Sequence, residues 1–126
     1  MLKLIKNPKK RPPPLVTFEK PFSNQKLGVE MLIAMNAYGR PFLTAPQCGI
    51  AQRAIAISNG PGKTYFNPTA TLLETAPEDS DFAPDDAILC IRYVDYLGNG
   101  STTYVKDNDG TILAAINHLN GIKEKK

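Results

Sequence analysis

The chain holds one histidine and two cysteines. His118 lies in His118-Leu119-Asn120-Gly121-Ile122, at the end of an apolar run. Cys48 and Gln47 lie in Phe42-Leu43-Thr44-Ala45-Pro46-Gln47-Cys48-Gly49, and Cys90 lies in Ile88-Leu89-Cys90-Ile91. Cys and His side chains suit a tetrahedral zinc site. A Cys–His pair suits nucleophilic catalysis, and a glutamine carboxamide can donate to a developing oxyanion. Each also has a plainer reading. A free Cys among apolar neighbours packs as a small hydrophobe. A lone His near a helix end is most often structural, and a loop Gln commonly satisfies backbone groups. The spacing of Cys48, Cys90 and His118 does not argue for a shared ion. Asp85-Asp86 reads as a solvated carboxylate pair.

Those residues need elements to hold them. Leu27, Met31, Met35 and Tyr38 recur at helical spacing, with Leu32 and Ala34 widening the apolar stripe. Ser23 or Asn24 is the expected cap, and Gly39 the stop. The apolar segment 42–49 then reads as a loop. Arg53 to Ser58 and Lys63 to Asn67 read as strands joined by the turn Asn59-Gly60-Pro61-Gly62. Pro68 is expected to interrupt the second, and Thr69 to Glu74 to follow as further β structure. Thr75 to Asp86 is polar, acidic and loop-like. Ile88 to Tyr96 and Ser101 to Val105 form a hairpin about Gly98-Asn99-Gly100. After the turn 106–110, Thr111 to Leu119 reads as a terminal helix. Leu2 to Ile5 is a short strand candidate. Residues 1–21 form an extended, basic, Pro-rich arm, since consecutive prolines allow neither helix nor central strand. Residues 122–126 form a charged tail. The whole reads as one α+β domain, 1–126, with mostly antiparallel strands packed on one long helix plus a short C-terminal helix.

Composition narrows the class. Fifteen Lys and Arg against twelve Asp and Glu give a net charge of +3, too little to argue for nucleic acid. Positive charge gathers at Lys3, Lys6, Lys9, Lys10, Arg11, Lys20, Lys123, Lys125 and Lys126; acidic charge gathers between Glu74 and Asp86. Solvated tails and an acidic loop account for both. No apolar run reaches the length of a membrane span, no secretory leader opens the chain, and two cysteines make no disulfide framework. A reducing, cytoplasmic compartment is expected.

Four landmarks, in order, resemble peptide deformylases. The helix leads into Leu43-Thr44-Ala45-Pro46-Gln47-Cys48-Gly49, similar to that family's glycine-leucine-alanine-alanine-proline-glutamine loop. Tyr65-Phe66-Asn67-Pro68 is similar to its apolar pair before Asn-Pro. The segment Ile91 to Gly100 is similar to the strand and turn before its last helix, and His118-Leu119-Asn120-Gly121 is similar to the end of its H-E-x-x-H-L-N-G signature. The short form resembles those encoded by bacteriophages and by some compact bacterial types. The resemblance implies a deformylase-like α+β fold and a metal-dependent hydrolase. One Cys and two His would hold the ion, a Glu would move the proton, and the loop glutamine, Gln47, would meet the formyl oxygen.

The sequence departs from that pattern where the chemistry lies. Counting back from His118, the first His position falls on Ala114 and the Glu position on Ala115. A two-His site within one chain is excluded by the histidine count. The family's Glu-Gly-Cys-Leu-Ser segment has no counterpart between Pro68 and Ile88. Phe42 replaces a glycine, placing a phenyl ring in or across the substrate groove beside Leu43. The expectation is therefore a deformylase-like protein without deformylase activity, acting as a binding or structural module. Its partner would be a protein or peptide, with nascent chain or ribosome as a candidate and neither membrane nor nucleic acid expected. Virus-encoded, it would act in the host cytoplasm. No cofactor is expected. The alternative is a divergent deformylase acting on formyl-methionyl peptides, with iron, zinc or nickel held by His118 and the speculative ligands Cys48 and Cys90, or a site completed across a subunit interface.

Overall fold

The computed structural model describes residues 1–8, 11–58, 62–78 and 80–122. The expectations for Lys9, Lys10, the Asn59-Gly60-Pro61 turn and Lys123 to Lys126 lie outside them. Among the described residues, helix α1 (Pro21–Ala37) leads into strand β1 (Phe42–Thr44) and a 3-10 turn (Ala45–Cys48). Strands β2 (Ala54–Ile57), β3 (Lys63–Leu72), β4 (Ile88–Val94) and β5 (Gly100–Lys106) follow, and helix α2 (Thr111–Leu119) closes the order. The five strands form one antiparallel sheet in sequential order. This is the expected α+β class.

Strand alternation splits the core into two layers. Ala54, Ala56 and Phe66 face α1 and pack with Met31, Ala34, Met35 and Leu43. Ile55, Ile57, Tyr65, Leu89, Ile91 and Val105 face the other way and pack with Ile112, Ile116 and Leu119 of α2. The helices therefore cover opposite faces of the sheet. Gly28 permits the close approach of α1. A Cβ there would lie 3.4 Å from Thr64 Cβ, and the Thr64 hydroxyl donates to the Gly28 carbonyl at 2.8 Å.

Several local expectations are corrected. Helix α1 begins at Pro21 with Lys20 before it, not at Ser23 or Asn24. Proline is pre-set for the first helical turn and has no N–H to lose there. Pro68 does not end β3, which runs through it; the register shifts between Phe66 and Thr69, and Asn67 has φ 48°. The bulge accommodates a residue that cannot donate to the ladder. Segment 42–49 is half strand and half 3-10 turn, closed by Gly49 at φ 77°. Leu2 to Ile5 forms no strand. It makes one backbone bond, Ile5 N–H to the Gln47 carbonyl at 2.9 Å, while Leu2 and Leu4 pack on the α1 side.

The N-terminal arm is nonetheless anchored. The Asn67 carboxamide accepts from Val16 N–H at 2.7 Å and donates to the Val16 carbonyl at 3.1 Å. Arg53 Nε donates to the Pro13 carbonyl at 2.6 Å. Val16 and Pro13 are buried. Among the described residues no helix is long and apolar enough to cross a membrane.

Candidate functional site

Helix α2 is fixed at its start by a buried side chain. The carboxylate of Asp107, 4% exposed, accepts from Ile112 N–H at 3.0 Å and Leu113 N–H at 2.9 Å. These are backbone donors that a helix N-terminus cannot satisfy internally. Asp109 beside it accepts from the N–H and hydroxyl of Thr111, which hold its carboxyl below the usual carboxylate value. At the other end the Asn120 Nδ2 donates to the Pro68 carbonyl at 2.8 Å, tying α2 to the bulge of β3. Sequence reading treats 106–110 only as a turn. The signal for the anchor is an Asp ahead of an apolar helical run.

Along α2, Ile112, Ile116 and Leu119 point into the sheet, Ala114, Ala115 and Asn117 are half-buried, and His118 is exposed. On β1, Phe42 is half-buried and packs on the α2-facing cluster. Leu43 has no exposed surface and belongs to the α1 side. Its side chain is core rather than groove wall, because alternation along β1 turns it away from α2. Thr44 N–H donates to Gln47 Oε1 at 2.9 Å. The carbonyl end of the Gln47 carboxamide is thereby committed to the backbone, and its NH2 end is the donor left for a ligand.

The two cysteines and His118 do not converge. Cys48 packs on the α1-side cluster. Cys90 alternates with Leu89 and Ile91, so it faces away from α2. His118 lies on α2, across the sheet. Among the described residues no three His, Cys, Asp or Glu side chains are grouped to hold an ion. Burial pushes the Cys48 thiol up, and the Arg40 charge lowers it only in part, so the thiolate is disfavoured.

A polar cluster unmarked in the sequence sits on the α2-facing side. Lys63 Nζ donates to the Tyr93 hydroxyl at 2.8 Å and lies 4.9 Å from the ring centroid. Tyr93 meets Tyr65 edge-on, with centroids 4.6 Å apart. Burial raises the Tyr93 phenol, but bonding to Lys63 and Ser101 and the charge of Lys63 outweigh it and leave the group lowered. Its bond to Tyr93 likewise raises Lys63.

No family model and no curated protein sequence matches the chain. Solved structures do. A peptide deformylase from a Vibrio parahaemolyticus bacteriophage, in complex with actinonin, superposes with a TM-score of 0.66 at 20% identity, over 97% of this chain and 99% of that one. The Plasmodium falciparum enzyme with an inhibitor gives 0.64 at 23% identity, over 95% and 84%. The Thermus thermophilus enzyme gives 0.65 at 22%, over 90% and 75%.

The chain has the peptide-deformylase fold.

Within the peptide-deformylase fold, the metal of the resemblance can be tested against the donors present. It asks for one Cys and two His, with a Glu on the same helix. Helix α2 carries Ala114 and Ala115 at those positions, and the chain has no second histidine. The interval between Pro68 and Ile88, where the ligand Cys is expected, has none. The donor set does not fit that ion.

Proposed function

We propose that this protein keeps the peptide-deformylase fold without metal-dependent deformylase chemistry, and works as a binding or structural module. The observation that carries the reading is the content of α2. A well-anchored helix presents alanines where two catalytic side chains are required, beside a lone exposed His118. Methyl groups cannot ligate an ion or shuttle a proton, and among the described residues no Cys, Asp or Glu is grouped with His118 to replace them. The packing of Phe42 on the α2-side cluster supports the same reading, because it fills the place that a substrate-facing glycine would leave open. The partner is a protein or peptide, with nascent chain or ribosome as the first class to test. The bacteriophage enzyme among the structural neighbours is the reason to test for a virus-encoded protein acting in the host cytoplasm.

A second reading, a divergent deformylase acting on formyl-methionyl peptides, draws on one observation: the Gln47 NH2 remains available as an oxyanion donor. Hydrolysis of a formyl-methionyl peptide, with iron, nickel or zinc supplied, separates the two. The module reading expects no turnover above buffer with any metal. Turnover that disappears in His118→Ala, but persists in a variant remote from α2, establishes the enzyme.

A further inference from the structure

Helix α1 is apolar on both sides. Met31, Ala34 and Met35 are buried against the sheet, whereas Phe22 is 80% exposed, Val29 51% and Ile33 53%. At 3.6 residues per turn those three fall within about 40° of one another, opposite Met31. They form one stripe along the solvent face. With Lys26, the positions run 22, 26, 29, 33, an alternation of four and three residues that matches the seam of paired helices.

We propose that α1 is a self-association surface, on which two copies pair their α1 helices antiparallel about a two-fold axis level with Gly28. The stripe is self-complementary under that operation, as a two-fold interface must be. The axis sets Val29 beside Val29 of the second copy at the centre. Phe22 comes within one residue, about 1.5 Å, of the level of Ile33 of the second copy at each end. Glu30, 4.0 Å from Lys26 within the chain, flanks the stripe on the side toward which Lys26 leans. An axis at residue 28 brings Lys26 level with Glu30 of the second copy on that same side, twice over. Each cation therefore meets an opposite charge, and each exposed apolar side chain meets another. This charge reversal selects a second copy over an unrelated apolar partner. Lys26 in the seam selects the register, since a slipped pairing leaves its ammonium on apolar surface.

Sedimentation velocity over a concentration series tests the proposal. The expected result is a mass rising toward twice that of the chain. Val29→Asp is expected to remain a monomer throughout, with unchanged circular dichroism, because the side chain lies on the surface. Lys26→Glu and Glu30→Lys each create two like-charge pairs, and each is expected to weaken association roughly tenfold. The double reversal restores it. A monomer throughout, whether or not another protein is captured on the stripe, overturns the proposal. So does a dimer indifferent to Val29→Asp, or a double reversal as weak as its singles.

Discussion

Replacing Asp107 by Ala tests how α2 is held. The buried carboxylate accepts two backbone N–H groups, at 3.0 and 2.9 Å. A hydrogen bond to a charged acceptor contributes about 1.5–3 kcal/mol. Loss of a helix-capping side chain costs about 0.5–2 kcal/mol. Water can reach the exposed Thr111 side of this helix end and recover part of the loss, so the combined cost is set at about 3 kcal/mol. Unfolding entropy of about 2.1 cal/mol/K per residue over 126 residues comes to about 265 cal/mol/K, so the midpoint should fall by about 11 °C. Asp107→Asn keeps one acceptor oxygen without the charge and should lose roughly half as much. Thermal denaturation followed by circular dichroism reads both. A midpoint for Asp107→Ala within about 2 °C of the unaltered protein refutes the anchoring argument.

Gly121 has φ 72°, and a Cβ there would lie 2.6 Å from Pro12 Cγ, so Gly121→Ala should cost roughly 1–3 kcal/mol in a denaturant titration. Gly39→Ala, with φ 63° and no atom within 4 Å, should show only the smaller backbone strain; equal losses would refute the packing of Pro12 on Gly121. One tyrosine should ionise below the ordinary phenol value in an ultraviolet titration, and Lys63→Met should move it upward; five unshifted tyrosines would contradict the Lys63–Tyr93 contact. Asp86, Asp95 and Asp109 are held below the ordinary carboxylate value, by bonds from Asn108, from Asn99 N–H and from Thr111 respectively. Depressed carboxylates stabilise the folded state above their unfolded value, so stability should hold above the ordinary carboxylate range and fall on acidification through it. Melts across that range should show the loss, and a midpoint that rises on acidification would contradict it.

The helices were legible because their periodicity and turn chemistry agree. Thr111 to Leu119 has apolar residues at the spacing of one buried face and a glycine just past its end. Gly39 and Gly49 mark stops that the backbone uses in the left-handed region. Pro68 misled because proline speaks against a strand, whereas a bulge with Asn67 at positive φ absorbs it. The resemblance sets Phe42 and Leu43 on one groove, whereas pairing with β2 sends them to opposite faces. The Lys63–Tyr93 contact joins two strands whose register shifts at that bulge, so no local pattern announces it. Asp107 is one acidic residue of two in a turn, and only the fold distinguishes the buried carboxylate from the exposed Asp109. The missing ligands, by contrast, needed no coordinates: one histidine cannot supply two.

Direct metal titration tests whether the fold persists without the metal site. The protein, stripped of adventitious ions and then offered iron, nickel or zinc, is expected to retain only substoichiometric metal after desalting, with no shift in its melting midpoint. One tightly held ion per chain, lost on His118→Ala and raising the midpoint of the unaltered protein, would contradict the loss of the metal site.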